Sequence, residues 1–493
     1  FKIIMGIVFN QSYKNIIIIA FALLVGGVNT LYFYPVFLKE QYYGLVVFLL
    51  ATSNLLQPLI SFGSQHTIIK YFSSFNTKKE KDNFMSSIIF LPLFTIIPIT
   101  FLVVEFHDII ASFLSLKNPI IESYVWVIFL VAFATSYFEV FYSWARVQLK
   151  SVFGNFLKEI FPRLSILVLL ILVYLNHISK ENFIWWLTGL YYLRLIIMMF
   201  YSLSLYMPKF TFSLPKNTKS ILTYSLYILL AGSAASILID IDKFMIPQKQ
   251  AISQTAFYAV AVFIATVVEI PGRAMFQIIN PLVAKALNEN NFNELKKLYS
   301  SSSINLLIVA GLIFLLINSS ISPFYDLMSE KAYANGIWVV LMISVSKLIL
   351  MSFGCGPAIL ATSKFYKITL PFSILMAVSV YYLNDIFIDI YGINGAALST
   401  LIVVLFFTGL KIIFIKHKLK ISPYSINSLK VVSIIIVMFF AFQNFKITDN
   451  SILSIIIDSI LISIIYTAVI YFMNVSEPIN KLIKNILSGK LRL

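Results

Sequence analysis

The stretch Tyr43-Gly44-Leu45-Val46-Val47-Phe48-Leu49-Leu50-Ala51-Thr52 returns 214 residues later as Phe257-Tyr258-Ala259-Val260-Ala261-Val262-Phe263-Ile264-Ala265-Thr266. In each copy a proline follows within the same apolar run, Pro58 and then Pro271. Each is followed by a connection rich in Asn and Lys, Phe75-Asn76-Thr77-Lys78-Lys79 in one copy and residues 290–297 in the other. Working outward, the offset spans six apolar stretches of helix length. An even number of crossings returns the chain to the same side of a membrane, so the duplication is parallel, with its pseudo-two-fold axis along the membrane normal.

Composition supplies the membrane. Of 493 residues 59% are hydrophobic and 12% charged, with a mean hydropathy of +0.90, against about 25% charged in an ordinary soluble domain. Soluble, disordered and fibrous classes are thereby excluded. Helix-length apolar stretches fall at 16–37, 45–66, 84–104, 124–143, 157–175, 183–206, 221–239, 256–279, 304–317, 337–360, 368–383, 393–415, 429–445 and 452–473. Fourteen spans of about 20 residues each leave only short loops, so the chain reads as an all-α polytopic membrane protein of about 14 transmembrane helices. The first stretch is too long for a signal's apolar region and has no small-residue cleavage site before Lys39. The longest outer connection, 105–123, is too short to carry the catalytic loop of a membrane-embedded glycan polymerase, so no enzyme is expected.

Lys and Arg set the orientation. Placing the N-terminus and every even-to-odd connection inside puts 28 of the 37 basic residues there and seven outside, with Arg194 and Lys347 within helices. Cytoplasmic loops hold that excess, so both termini are expected in the cytoplasm and the net charge of +16 is a topology signal rather than a sign of nucleic acid. A single cysteine, Cys355, and four scattered histidines, His66, His107, His177 and His417, give neither disulfides nor metal-ligand spacing. No cofactor is expected. Basic, proline-bearing connections at 207–220 and 416–430 divide the chain into an N-terminal six-helix half (1–206), a second half (207–420), and two extra helices with a cytoplasmic tail (421–493).

With this plan in view, the segments Ile239-Asp240-Ile241-Asp242-Lys243-Phe244-Met245-Ile246, Ala256-Phe257-Tyr258-Ala259-Val260-Ala261, Ile279-Asn280-Pro281-Leu282-Val283-Ala284 and Tyr391-Gly392-Ile393-Asn394-Gly395-Ala396-Ala397 resemble the flippases of the multidrug, oligosaccharidyl-lipid and polysaccharide exporter superfamily. The nearest branch is the bacterial O-antigen and capsule flippases. The resemblance covers the whole chain in topology and only these segments in letters. It implies a carrier of an undecaprenyl-diphosphate-linked oligosaccharide, in lipopolysaccharide or capsule biosynthesis, in the bacterial inner membrane.

An ionisable side chain within hydrocarbon costs several kcal/mol unless it meets a partner or a wet cavity, and the sequence has few. Arg194 and Lys347 stand in helices without an acid nearby in sequence. Glu269 and Arg273 lie four residues apart across Pro271 and Gly272, and Glu139 lies seven residues before Arg146. A diphosphate crossing a low-dielectric region needs fixed cations, so Arg194, Lys347, Arg273 and Arg146 are the candidate substrate ligands, lining a central cavity. A Glu269–Arg273 ion pair is the structural alternative. Glu139 and Glu269 are candidate sites of a coupling proton or sodium ion, and Asp458 completes the set. Asp240 and Asp242 read as a solvated outer rim. Among aromatics, Tyr191 and Tyr192 flank Arg194 and suit sugar stacking, whereas Trp185 and Trp186 suit an interfacial belt. Residues 153–161, with Lys158 and Glu159, read as an interfacial segment. Alternating access is the expected mechanism. A cation-coupled multidrug antiporter of the same superfamily is the alternative, though the first span carries no charge between Ile16 and Leu38.

Overall fold

The computed structural model describes residues 2–209, 215, 217–443 and 448–488. The predicted end of the 429–445 stretch and the basic residues Lys216, Lys446, Lys490 and Arg492 lie outside the described residues. Every regular element among them is helical, with no strand. In chain order they are α1 (Lys2–Val28), α2 (Lys39–Ser61), α3 (Ser64–Tyr71), α4 (Lys78–Phe90), α5 (Leu93–Glu105), α6 (His107–Ser115), α7 (Val125–Val147), α8 (Val152–Tyr174), α9 (Lys180–Leu205) and α10 (Thr218–Lys249). There follow α11 (Ser253–Thr266), α12 (Ile270–Asn288), α13 (Phe292–Asp326), α14 (Ile337–Ser352), α15 (Gly356–Thr362), α16 (Thr369–Tyr391), α17 (Ile393–Leu419), α18 (Ile426–Gln443), α19 (Ser451–Phe472) and α20 (Glu477–Leu487).

Among the described residues, twelve helical segments are long and apolar enough to cross a membrane. Two features account for the difference from fourteen. The segment Ile17–Ser61 is 45 residues long, about twice a bilayer's thickness at 1.5 Å per residue. It is broken at Lys39, whose φ of 62° and ψ of 170° leave the helical region, so it holds two of the predicted stretches. The predicted span at 157–175 is also a helix, α8, but Lys158, Glu159 and Arg163 crowd its first half, more charge than any of the twelve carries across its apolar stretch.

The chain forms two compact units, Phe1–Ala259 and Val260–Leu493. In the first, α2 packs against α7 and α10, α7 against α9, and α8 against α1 and α9. Phe84, Phe138, Trp144 and Met198 are the buried centre of the α4, α7 and α9 contact. In the second, α13 is the hub for α12, α14, α18 and α19, around Leu306, Phe314, Ile435, Ile462 and Tyr466.

Both copies of the repeated stretch are helices interrupted near their proline, which cannot donate a backbone hydrogen bond. α2 runs three residues past Pro58 and stops at the left-handed pair Phe62 and Gly63. The second copy leaves the α-helix earlier, through the tight turn Val267–Glu269, and resumes as α12 around Pro271. Two glycines of the quoted motifs answer to geometry. A Cβ on Gly44 would stand 2.0 Å from the carbonyl oxygen of Ile252, which no side chain tolerates. Gly392 joins α16 to α17 at φ 58°, ψ −135°, a conformation closed to residues with a Cβ.

Candidate functional site

The helices of the first unit line an open polar cavity of about 760 Å³. Its wall on α7 is written into the sequence: Thr135, Glu139, Ser143 and Arg146 recur at intervals of four, four and three, which places them on one helical face. α2 and α3 contribute Asn54, Gln57, Gln65 and His66; α8 contributes Lys158, Glu159 and Arg163; α9 contributes Tyr191 and Arg194; and α10 contributes Asp240.

Most of these charges are matched. Lys158 Nζ lies 2.6 Å from Glu139 Oε1, and Arg163 Nη1 donates to Glu159 Oε2 at 2.9 Å. Asp240 accepts from Lys243 Nζ at 2.6 Å and from Asn54 Nδ2 at 3.2 Å. Two cations stand apart. Arg194 is 6% exposed, has no carboxylate oxygen within 4.0 Å among the described residues, and its Nε has no hydrogen-bond partner. Its guanidinium lies 4.3 Å from the Phe138 ring centroid and 4.7 Å from that of Tyr191. Such stacking returns up to about 2 kcal/mol when desolvated, less than the several kcal/mol that burying a charge costs. Arg146, in the last turn of α7, is exposed, stacks over Tyr142 at 5.6 Å, and likewise has no carboxylate partner among the described residues.

In the second unit the predicted residues converge differently. Glu269 Oε1 accepts from Arg273 Nη2 at 2.7 Å, and Glu269 Oε2 accepts from Lys347 Nζ at 2.8 Å. Lys347, which has no acid nearby in sequence, is paired with one 78 residues away because α14 packs against the turn that holds Glu269. The local Glu269–Arg273 pair forms as well.

Of the aromatics, Tyr191 lines the cavity, while Tyr192 stacks on Phe133 at 6.2 Å away from the lining. Trp185 and Trp186 are exposed near the start of α9. Asp240 and Asp242 are no solvated rim: they are 6% and 7% exposed, the first held by Lys243 and Asn54, the second accepting from the Tyr258 hydroxyl. Asp458 is buried in α19, where Ser454 Oγ donates to it at 3.1 Å. The segment read as interfacial is the start of one continuous helix, α8, and Lys158 and Glu159 turn into the cavity. The amides Asn54, Gln57 and Gln65 were not singled out by the sequence. Their signal was the spacing of Asn54 and Gln57, three residues apart in an otherwise apolar stretch.

The helical membrane fold is one that solved structures of membrane transporters also adopt. The chain is similar to a solved structure of the lipid II flippase MurJ in an inward closed conformation, with a TM-score of 0.70 and 14% identity over 94% of this chain and 99% of that one. It is also similar to an inward-facing multidrug resistance MATE family transporter of the MOP superfamily, with a TM-score of 0.60 and 14% identity over 81% of this chain and 94% of that one. No protein-family model and no curated protein matches the sequence.

Proposed function

We propose that this protein is a flippase that moves an undecaprenyl-diphosphate-linked oligosaccharide, of the O-antigen or capsule kind, from the cytoplasmic to the outer leaflet of a bacterial inner membrane, with both termini in the cytoplasm. The observation that carries this reading is Arg194: a buried guanidinium with an unpartnered Nε on a polar cavity, where a diphosphate supplies the counter-charge that the protein withholds. Arg146 provides a second uncompensated cation at the end of α7, and Tyr191 a ring beside Arg194 for a sugar face.

The cavity opens to one side of the membrane at a time, the polar head travels through it, and the lipid tail stays in the bilayer. No bond is made or broken. Lys347 and Arg273 are further anion ligands in this scheme, reached when an incoming phosphate competes with Glu269. A carboxylate released in that way, Glu269 or Glu139, is free to take up a coupling proton or sodium ion.

In a strain depleted of the protein, lipid-linked glycan should accumulate on the inner leaflet. Wild type should clear it, and Arg194→Ala and Lys347→Ala should fail to do so at normal expression. Undisturbed glycan export with altered sensitivity to cationic drugs would instead establish a multidrug antiporter, to which the cavity carboxylates Glu139 and Asp240 would then be the relevant groups.

A further inference from the structure

The charged lining of the cavity accounts for a diphosphate and leaves its uncharged polar lining unexplained. Three neutral side chains there carry a buried polar atom with no hydrogen-bond partner: Gln57 Nε2 on α2, Gln65 Oε1 on α3 and Thr135 Oγ1 on α7. α7 packs against both α2 and α3, and the backbone carbonyl of Gln57 accepts from Ser136 Oγ at 3.2 Å, which fixes α2 beside the Thr135 turn of α7. An unpartnered buried polar group costs about 1–3 kcal/mol, and although such atoms occur elsewhere among the described residues, these three line one cavity. Three in one cavity lining are groups that water or a ligand must complete. Because none of these atoms is engaged, rotating them toward a ligand breaks no existing hydrogen bond.

Their chemistry restricts the ligand. An amide nitrogen only donates, an amide oxygen only accepts, and a hydroxyl does both. A phosphate offers mainly acceptors and an ammonium group only donors, so neither satisfies the set. Vicinal hydroxyls do. The carboxylates beside this wall are Asp240, held by Lys243 and Asn54, and Glu139, one turn along α7 from Thr135 and held by Lys158, so both lysines there are taken and neither is left to pair with an acidic sugar.

We propose that Gln57, Gln65 and Thr135 form a recognition subsite for the first sugar of the lipid-linked glycan, selective for a neutral hexose or N-acetylhexosamine over a uronic acid. The proposal rests on the flippase reading, since it assumes a substrate that presents a diphosphate and a sugar together.

The test uses the full chain in nanodiscs and soluble short-chain probes: farnesyl diphosphate, and farnesyl diphosphate bearing glucose, galactose, N-acetylglucosamine or glucuronic acid. At least one neutral sugar should tighten binding about tenfold over farnesyl diphosphate alone, the worth of one or two recovered hydrogen bonds, and glucuronic acid should not. The double variant Gln57→Leu, Thr135→Val should lose that increment while still binding farnesyl diphosphate as wild type does, with an unchanged or higher melting temperature. Arg194→Gln should weaken all the probes together. Equal binding of sugar-free and neutral-sugar probes by wild type, an advantage for glucuronic acid, or an increment that survives in the double variant would overturn the subsite and leave diphosphate recognition standing. Failure of every probe to bind would overturn the flippase reading and the subsite with it.

Discussion

Two sets of charges within the membrane-spanning helices follow opposite rules. In the second unit Glu269 is gripped by Arg273 at 2.7 Å and Lys347 at 2.8 Å, and each carboxylate oxygen has a cation. In the first unit Arg194 is almost fully buried against two rings, with no carboxylate oxygen within 4.0 Å among the described residues. Both arrangements place arginine or lysine where lipid would exclude it, yet only one is self-sufficient. A satisfied trio is what a fold needs to tolerate charge in a low dielectric. Under the proposed function, the unsatisfied guanidinium beside the cavity is a binding free energy held in reserve for an anion.

The contrast can be broken by removing one member at a time. Glu269→Ala should have the largest effect on stability, about 2 kcal/mol, because it strands Lys347, whose side chain is only 23% exposed, whereas the half-exposed Arg273 can turn to water. Thermal unfolding in detergent should show the loss, and adding Lys347→Met should recover most of it. If Glu269→Ala melts like wild type, the trio does not stabilise the second unit.

Arg194→Gln sharpens the other side. No carboxylate is orphaned, so the melting temperature should hold or rise, while affinity for a lipid diphosphate should fall about tenfold to a hundredfold, as for loss of a charged hydrogen bond. Titration of farnesyl diphosphate against both proteins measures it. A large drop in melting temperature with unchanged affinity would make Arg194 a structural charge.

The smallest effect belongs to Lys158→Met. Its pair with Glu139 is tight at 2.6 Å, but the lysine side chain is 41% exposed to the cavity, so water can take over and stability should change by less than about 1 kcal/mol. Chemical denaturation distinguishes this from the Glu269 result. An equally severe loss would show that the cavity excludes water as completely as the helix interior.

How legible the site was varies with sequence distance. The Glu269–Arg273 pair was visible because residues four apart share a helical face, and so was the face joining Glu139 to Arg146. The partner of Lys347 was hidden, since nothing in the letters links positions 269 and 347. Asp240 and Asp242 misled for the same reason. A pair of aspartates near a helix end reads as solvated until Asn54, Lys243 and Tyr258 are seen to enclose it. Lys158 and Glu159 looked interfacial because charge at the start of an apolar stretch usually is. Here the helix carries them past α7, where Glu139 is waiting.

By itself, the sequence determined that this chain lives in a bilayer, that it is all helix and that a stretch near residue 43 is built again near residue 257. These follow from hydrophobic length and local backbone chemistry, which act within some twenty residues. Only the tertiary structure decided which cations are neutralised and which are left open. A charge in hydrocarbon is judged by what stands within 4 Å of it, and those neighbours come from helices far apart along the chain.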